Sequence, residues 1–90
     1  MQIFYSDDNL DTRYWAWCAK LHLKENVIYY YNNITQLENC IVCKTSTDAI
    51  NLYEALFKGV SMSELVSALD NCGFNGAELY VYLMQNGIIE

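Results

Sequence analysis

The hydrophobic period of this 90-residue chain changes once, near Ser46, and does not change back. Upstream the period is two. "WCAKLHLK" sets Trp17, Ala19, Leu21 and Leu23 against Cys18, Lys20, His22 and Lys24, the pattern of a half-buried strand. "EN" and then "VIYYY" follow. With Glu25-Asn26 as a two-residue turn, Asn tolerating the positive φ, Lys24 faces Val27, Leu23 faces Ile28, His22 faces Tyr29 and Leu21 faces Tyr30. That register collects Leu21, Leu23, Ile28 and Tyr30 on a core face, with Lys20, His22, Lys24, Tyr29 and Tyr31 on the other, so period and turn agree. Beyond the polar loop "NNITQLEN", the short β-prone run "CIVCKT" at residues 40–45 predicts a third strand.

Downstream the signals are helical. "STDAINLYEALFKG" opens on cap-type residues and stops at Gly59, with Lys58 at the negative end of its dipole and Ile50, Tyr53, Leu56 and Phe57 as its apolar stripe. Ser61 with Glu64, and Asn75 with Glu78, have the spacing of capping boxes and predict two more short helices, closed at Cys72-Gly73 and Asn86-Gly87. Strands first and helices after, with no proline anywhere, read as α+β: a three-stranded antiparallel sheet followed by three helices, winged helix-turn-helix-like. Residues 17–90 form one domain, and residues 1–16 an N-terminal arm left unassigned, since residues 1–5 are compatible with a short strand but the acidic "SDDNLDT" behind them is turn-like.

Charge narrows the function. Eleven acidic residues against five basic ones give a net charge of −6, and the cations Arg13, Lys20, Lys24, Lys44 and Lys58 all precede Ser61. A helix-turn-helix outline whose last helix carries Glu78 and no cation does not offset phosphate repulsion, so nucleic acid is not expected as a partner. No apolar run reaches the ~18 residues of a membrane span, and the N-terminus lacks a basic segment before an apolar one. The expectation is a cytoplasmic protein whose cysteines, Cys18, Cys40, Cys43 and Cys72, are reduced and serve as small hydrophobes.

The third helix is unusual. From Ala77 to Met84 only Glu78 is polar. Leu79, Tyr82, Leu83 and Asn86 form one face, and Ala77, Tyr80, Val81 and Met84 a second, where a surface helix has a polar back. The second face either completes the core or lines a groove for a partner. A short, barely blunted third strand beside such a helix offers backbone hydrogen bonds and side-chain pockets together, the equipment for strand addition by an extended peptide.

Other constellations carry less. Cys40-x-x-Cys43 has zinc-like spacing, but residues 40 and 43 of a strand point to opposite faces, so no metal or other cofactor is expected. His22 has no identifiable nucleophile and orienting carboxylate, and no glycine-rich phosphate loop exists, so no catalytic residues are assigned. Lys20, His22 and Lys24 beside Tyr29 and Tyr31 make a basic-aromatic sheet face; at this net charge it reads as solvated surface or a dock for another protein.

Three strands and three helices ending in "INLYEALFKGVSMSELVSALDNCGFNGAELYVYLMQNGII" resemble the PqqD-like family, the leader-peptide recognition elements of ribosomally made, post-translationally modified peptides. The likeness covers residues 17–90 and rests on the helix closed by Gly59, the "SMSELVSAL" start and the "YLMQNGII" end. It implies a non-enzymatic module that binds a precursor's leader peptide along the third strand (Cys40, Ile41, Val42, Cys43, Lys44 and Thr45) and against Ala77, Tyr80, Val81 and Met84. Lys44 would pair with a leader carboxylate. The bound precursor would be delivered to a separate maturation enzyme such as a radical SAM protein or another peptide-modifying enzyme. The alternative is a degenerate winged-helix interaction or regulatory module that dimerises through the third helix and binds no DNA. A homodimer through the edge strand is compatible with the first reading.

Overall fold

A computed structural model describes residues 12–90. Along the chain run β1 (Thr12–Arg13), β2 (Ala19–Lys24), β3 (Val27–Asn32), β4 (Glu38–Val42), α1 (Ser46–Lys58), β5 (Val60–Ser61), α2 (Met62–Asn71) and α3 (Gly76–Gln85). The architecture is α+β: an antiparallel sheet in the order β2-β3-β4 followed by three helices, compatible with a winged-helix arrangement, with β1 and β5 as a separate two-residue pair. No helix among the described residues is long and apolar enough to cross a membrane.

The hairpin has the expected register, from Lys24 opposite Val27 to Leu21 opposite Tyr30. Its turn differs in one respect, since Glu25 rather than Asn26 takes the positive φ, 56°. Asn26 is committed elsewhere. Its carbonyl accepts the Cys43 N–H at 2.8 Å, and its side-chain amide donates to the Cys43 carbonyl at 2.8 Å. The strand expected at 40–45 lies at Glu38–Val42, because the loop closes on Asn32 sooner than its polar composition suggests (Asn32 N–H to the Leu37 carbonyl, 2.8 Å) and Thr45 leaves to cap α1.

The inner face of the sheet gives Ile28, Tyr30 and Ile41 to a core completed by Ala49, Leu52 and Leu56 of α1, Leu65 and Leu69 of α2, Leu83 of α3, and the final Ile88 and Ile89. On α1 the buried stripe is therefore Ala49-Leu52-Leu56. Of the stripe expected from sequence, only Leu56 is fully buried; Tyr53 is half-buried, and Ile50 and Phe57 are exposed. The helix is apolar over more than one face, and the sheet takes the side with the smaller residues, where α1 can approach closely.

Each helix starts on an oxygen that accepts a backbone N–H three residues on: Thr45 from Asp48, Ser61 from Glu64 and Asn75 from Glu78. Two helices end in Schellman turns, with Phe74 N–H on the Leu69 carbonyl and Ile88 N–H on the Leu83 carbonyl. Between α2 and α3 the backbones nearly touch. A Cβ on Gly76 would collide with the Val66 carbonyl, and the Gly76 N–H donates to Asp70 Oδ1 at 2.7 Å.

The part of the arm that is described is built into the same body. Thr12 and Arg13 pair with Ser61 and Val60, and Trp15 bridges Ile89. Tyr14 and Glu90 exchange backbone hydrogen bonds of 2.9 and 2.8 Å, and Ala16 N–H reaches the Ile88 carbonyl. Trp15 and Ala16 are buried, the Trp15 indole donating to the Tyr53 carbonyl at 2.9 Å. The compact unit thus begins no later than Thr12, ahead of the boundary expected at 17, and the "IIE" ending is its pairing partner. Residues 1–11, including the strand-compatible segment 1–5, lie outside the described residues. Trp17, which strict alternation puts on the core face, stands instead in a turn (Ala19 N–H to the Ala16 carbonyl, 3.0 Å) and is 80% exposed. The turn breaks the period two residues before the strand begins.

Candidate functional site

Among the described residues β4 has β3 on one side and no strand on the other. The direction of each of its backbone groups follows from the ladder. Antiparallel residues alternate between bonding the neighbour and facing away from it. Leu37 and Cys43 bond β3 or its turn, and Asn39 and Ile41 share their parity. Glu38, Cys40 and Val42 therefore turn their N–H and C=O groups to the open edge. The Cys40 N–H is in keeping with this, since it donates to the Asn39 side-chain oxygen at 2.9 Å instead of to β3. Parity of the side chains is settled by the same register: Ile41 and Cys43 are buried inward, Cys40 and Val42 are exposed outward.

Two contacts relate α3 and the turn before it to this side of the sheet. At one end the Lys44 stem lies over Gly73, where a Cβ would come within 2.8 Å of it. At the other, the Tyr82 phenol lies beside that of Tyr30, the β3 residue opposite Asn39. Burial pushes the Tyr30 phenol above its ordinary range, and Tyr82 beside it pushes the same way. The flank of α3 on the Tyr30 side therefore carries Leu79 and Tyr82, and with Phe74, Asn75 and Glu78 these line a hollow of about 390 Å³ to which β4 contributes no wall.

The expected helix face is not brought to the edge. Leu83 points straight into the core, so the residues around it fall on opposite flanks. Tyr80 lies on the far flank, where its hydroxyl accepts from Arg13 Nε at 2.8 Å, and Met84, on the same side of the helix, packs on the core. Ala77 and Val81 face solvent. Leu79, Tyr82 and Phe74 take the place assigned to those four. Of the expected strand residues, Cys40, Ile41 and Val42 lie in β4, whereas Cys43, Lys44 and Thr45 follow it. The sequence holds a signal for Tyr82: it shares the helical face of Leu79 and Leu83.

Two further concavities exist. One, of about 450 Å³, lies on the outer sheet face among Lys20, His22, Tyr29, Tyr31, Glu38 and Cys40. The row Lys20–Tyr31–Glu38 crosses the sheet in register, so the face that reads as basic and aromatic ends in a carboxylate. The other lies between β2 and α1. Cys40 on the outer face and Cys43 inside it share no site; Cys43 neighbours Cys72, burial pushes its thiol up to about 12, and burial raises Cys72 as well. Among the described residues no three His, Cys, Asp or Glu side chains are grouped to hold a metal ion.

Compared with known proteins, the chain matches no family model, and no curated protein or solved structure is significantly similar to it.

Proposed function

We propose that this protein is a non-catalytic peptide-binding module that takes up an extended segment as a fourth strand on β4, with alternate side chains entering the hollow of Phe74, Leu79 and Tyr82. In line with the PqqD-like resemblance, the segment would be the leader of a precursor peptide, and the module would hand the precursor to a separate modifying enzyme. Holding the leader raises the effective concentration of the rest of the peptide at that enzyme.

The observation that carries this reading is the contrast between the two sheet edges. β2 presents Lys20, His22 and Lys24, all exposed, the usual protection of an edge against a further strand. β4 carries one charge, Glu38, and offers three residues' worth of outward backbone groups. The test is amide hydrogen exchange with a synthetic leader of the precursor encoded beside the gene. Glu38, Cys40 and Val42 should gain protection, while Ile41 and Cys43, already bonded within the fold, should change little. Protection confined to β2, or none at saturating peptide, would reject the site.

A further inference from the structure

The cleft between β2 and α1 leaves more aromatic surface bare than the β4 side does, and it suits a different occupant. Trp17 is 80% exposed, Phe57 57%, Tyr14 44% and Ile50 42%. Together they leave on the order of 500 Å² of largely apolar side chain in water, at the upper end of what a monomer leaves bare. The exposed indole forms one wall of a hollow of about 370 Å³ whose other walls include Tyr14, Trp15, Leu21, Tyr53 and Phe57. A face that holds a projection and an adjoining hollow of matching chemistry can complement itself, which is the requirement for a twofold contact.

Charge and backbone both bear on what fills it. The chain carries −6, yet the charged residues next to these aromatics in the chain, Arg13, Glu54 and Lys58, together with Glu90, whose carboxylate accepts the Trp17 N–H, are of both signs, so the chain's negative excess is not concentrated at this face. Lys20, His22 and Lys24 line the β2 edge, so pairing β2 with its own copy would bring like charges together. The contact is then made by side chains and not by a continuous sheet.

We propose that this face is a self-association surface: two copies meet about a twofold axis, each inserting Trp17 into the hollow between Tyr14, Tyr53 and Phe57 of the other. Two such patches with their polar rim come within reach of the ~1,200 Å² at which specific interfaces begin. Both β4 edges stay free, so the inference does not rest on the peptide-binding reading and survives its failure.

The test is sedimentation of the full chain from about 1 to 500 μM, with tryptophan emission followed in parallel in a Trp15→Phe background that leaves Trp17 as sole reporter. The mass should rise from 10.4 kDa toward twice that value, with emission moving to the blue in step. Trp17→Glu should weaken association at least about 30-fold without lowering the melting temperature, since the indole is solvated in the monomer. A mass of 10.4 kDa throughout would overturn the proposal, as would a dimer that survives Trp17→Glu. So would emission already blue in a monomer, which would mean the hollow is filled within one chain. A dimer lost on Val42→Pro but kept in Trp17→Glu would place association at β4 and overturn it too.

Discussion

Val42→Pro separates the fold's own hydrogen bonds from those a bound strand would use. Val42 sits opposite Val27 at a position whose N–H faces the open edge, and its side chain is 52% exposed. Proline removes that donor, and edge positions of this parity are where strands tolerate it. Ile41 has the other parity: its N–H belongs to the β3 ladder, so Ile41→Pro should cost ~3 kcal/mol or more of stability. For Val42→Pro the loss falls on binding. One ladder bond is worth about 1 kcal/mol net, and a peptide carbonyl left unpaired in the cleft adds about 1 kcal/mol more. Together these are a ~30-fold weaker complex at 1.4 kcal/mol per tenfold. Fluorescence anisotropy of a labelled leader peptide would measure it, with Val42→Thr, which keeps the N–H, as the control. If folded Val42→Pro binds within about twofold of the parent, strand addition to β4 is wrong.

Four other outcomes follow from the geometry. Tyr82→Asp should weaken peptide binding by ~10-fold or more, as a lost aromatic anchor does, while Val81→Asp on the solvent face should leave the same titration unchanged. Asn32, 2% exposed, donates to the Asn86 and Gly87 carbonyls and accepts from the Ile34 and Thr35 N–H groups. Asn32→Asp aims a carboxylate at those two carbonyls and should cost about 3 kcal/mol, read as a fall in melting temperature of ~15 °C. Cys43 and Cys72 have folded pKa values raised above their ordinary 9.0, so stability from keeping them neutral is full below pH 9 and is lost as pH rises, for Cys43 until about 12. Urea midpoints should fall between pH 8 and pH 10.5; a constant midpoint would refute the burial of these thiols. At pH 8 a disulfide reagent should titrate the exposed Cys40 well ahead of the buried Cys18, Cys43 and Cys72.

What the sequence makes legible here is what neighbours in the chain decide. The hairpin register follows from a period of two across a two-residue turn, and the three helix starts follow from an oxygen placed three residues before a glutamate or aspartate. Misreadings arise where an apolar residue has two faces to choose from. Ile50 and Phe57 on α1, and Tyr80 and Tyr82 on α3, are hydrophobic enough for either side, and only the position of the sheet assigns them. The pairing of Trp15 with Ile89 joins residues from opposite ends of the chain and leaves no local trace in either segment. Trp17 is hidden for a related reason, because a four-residue turn at 16–19 resets the alternation on which its placement depends.

The bonds of Tyr14 to Glu90 and Ala16 to Ile88 form a clasp with a mechanical consequence. The two segments run antiparallel, so residues 12 and 90 emerge on the same side of it. Tension applied through both segments would peel the clasp one bond at a time instead of shearing it. With the two-residue pair of β1 and β5 parted, this seam would open next and uncover Trp15 and Ile89.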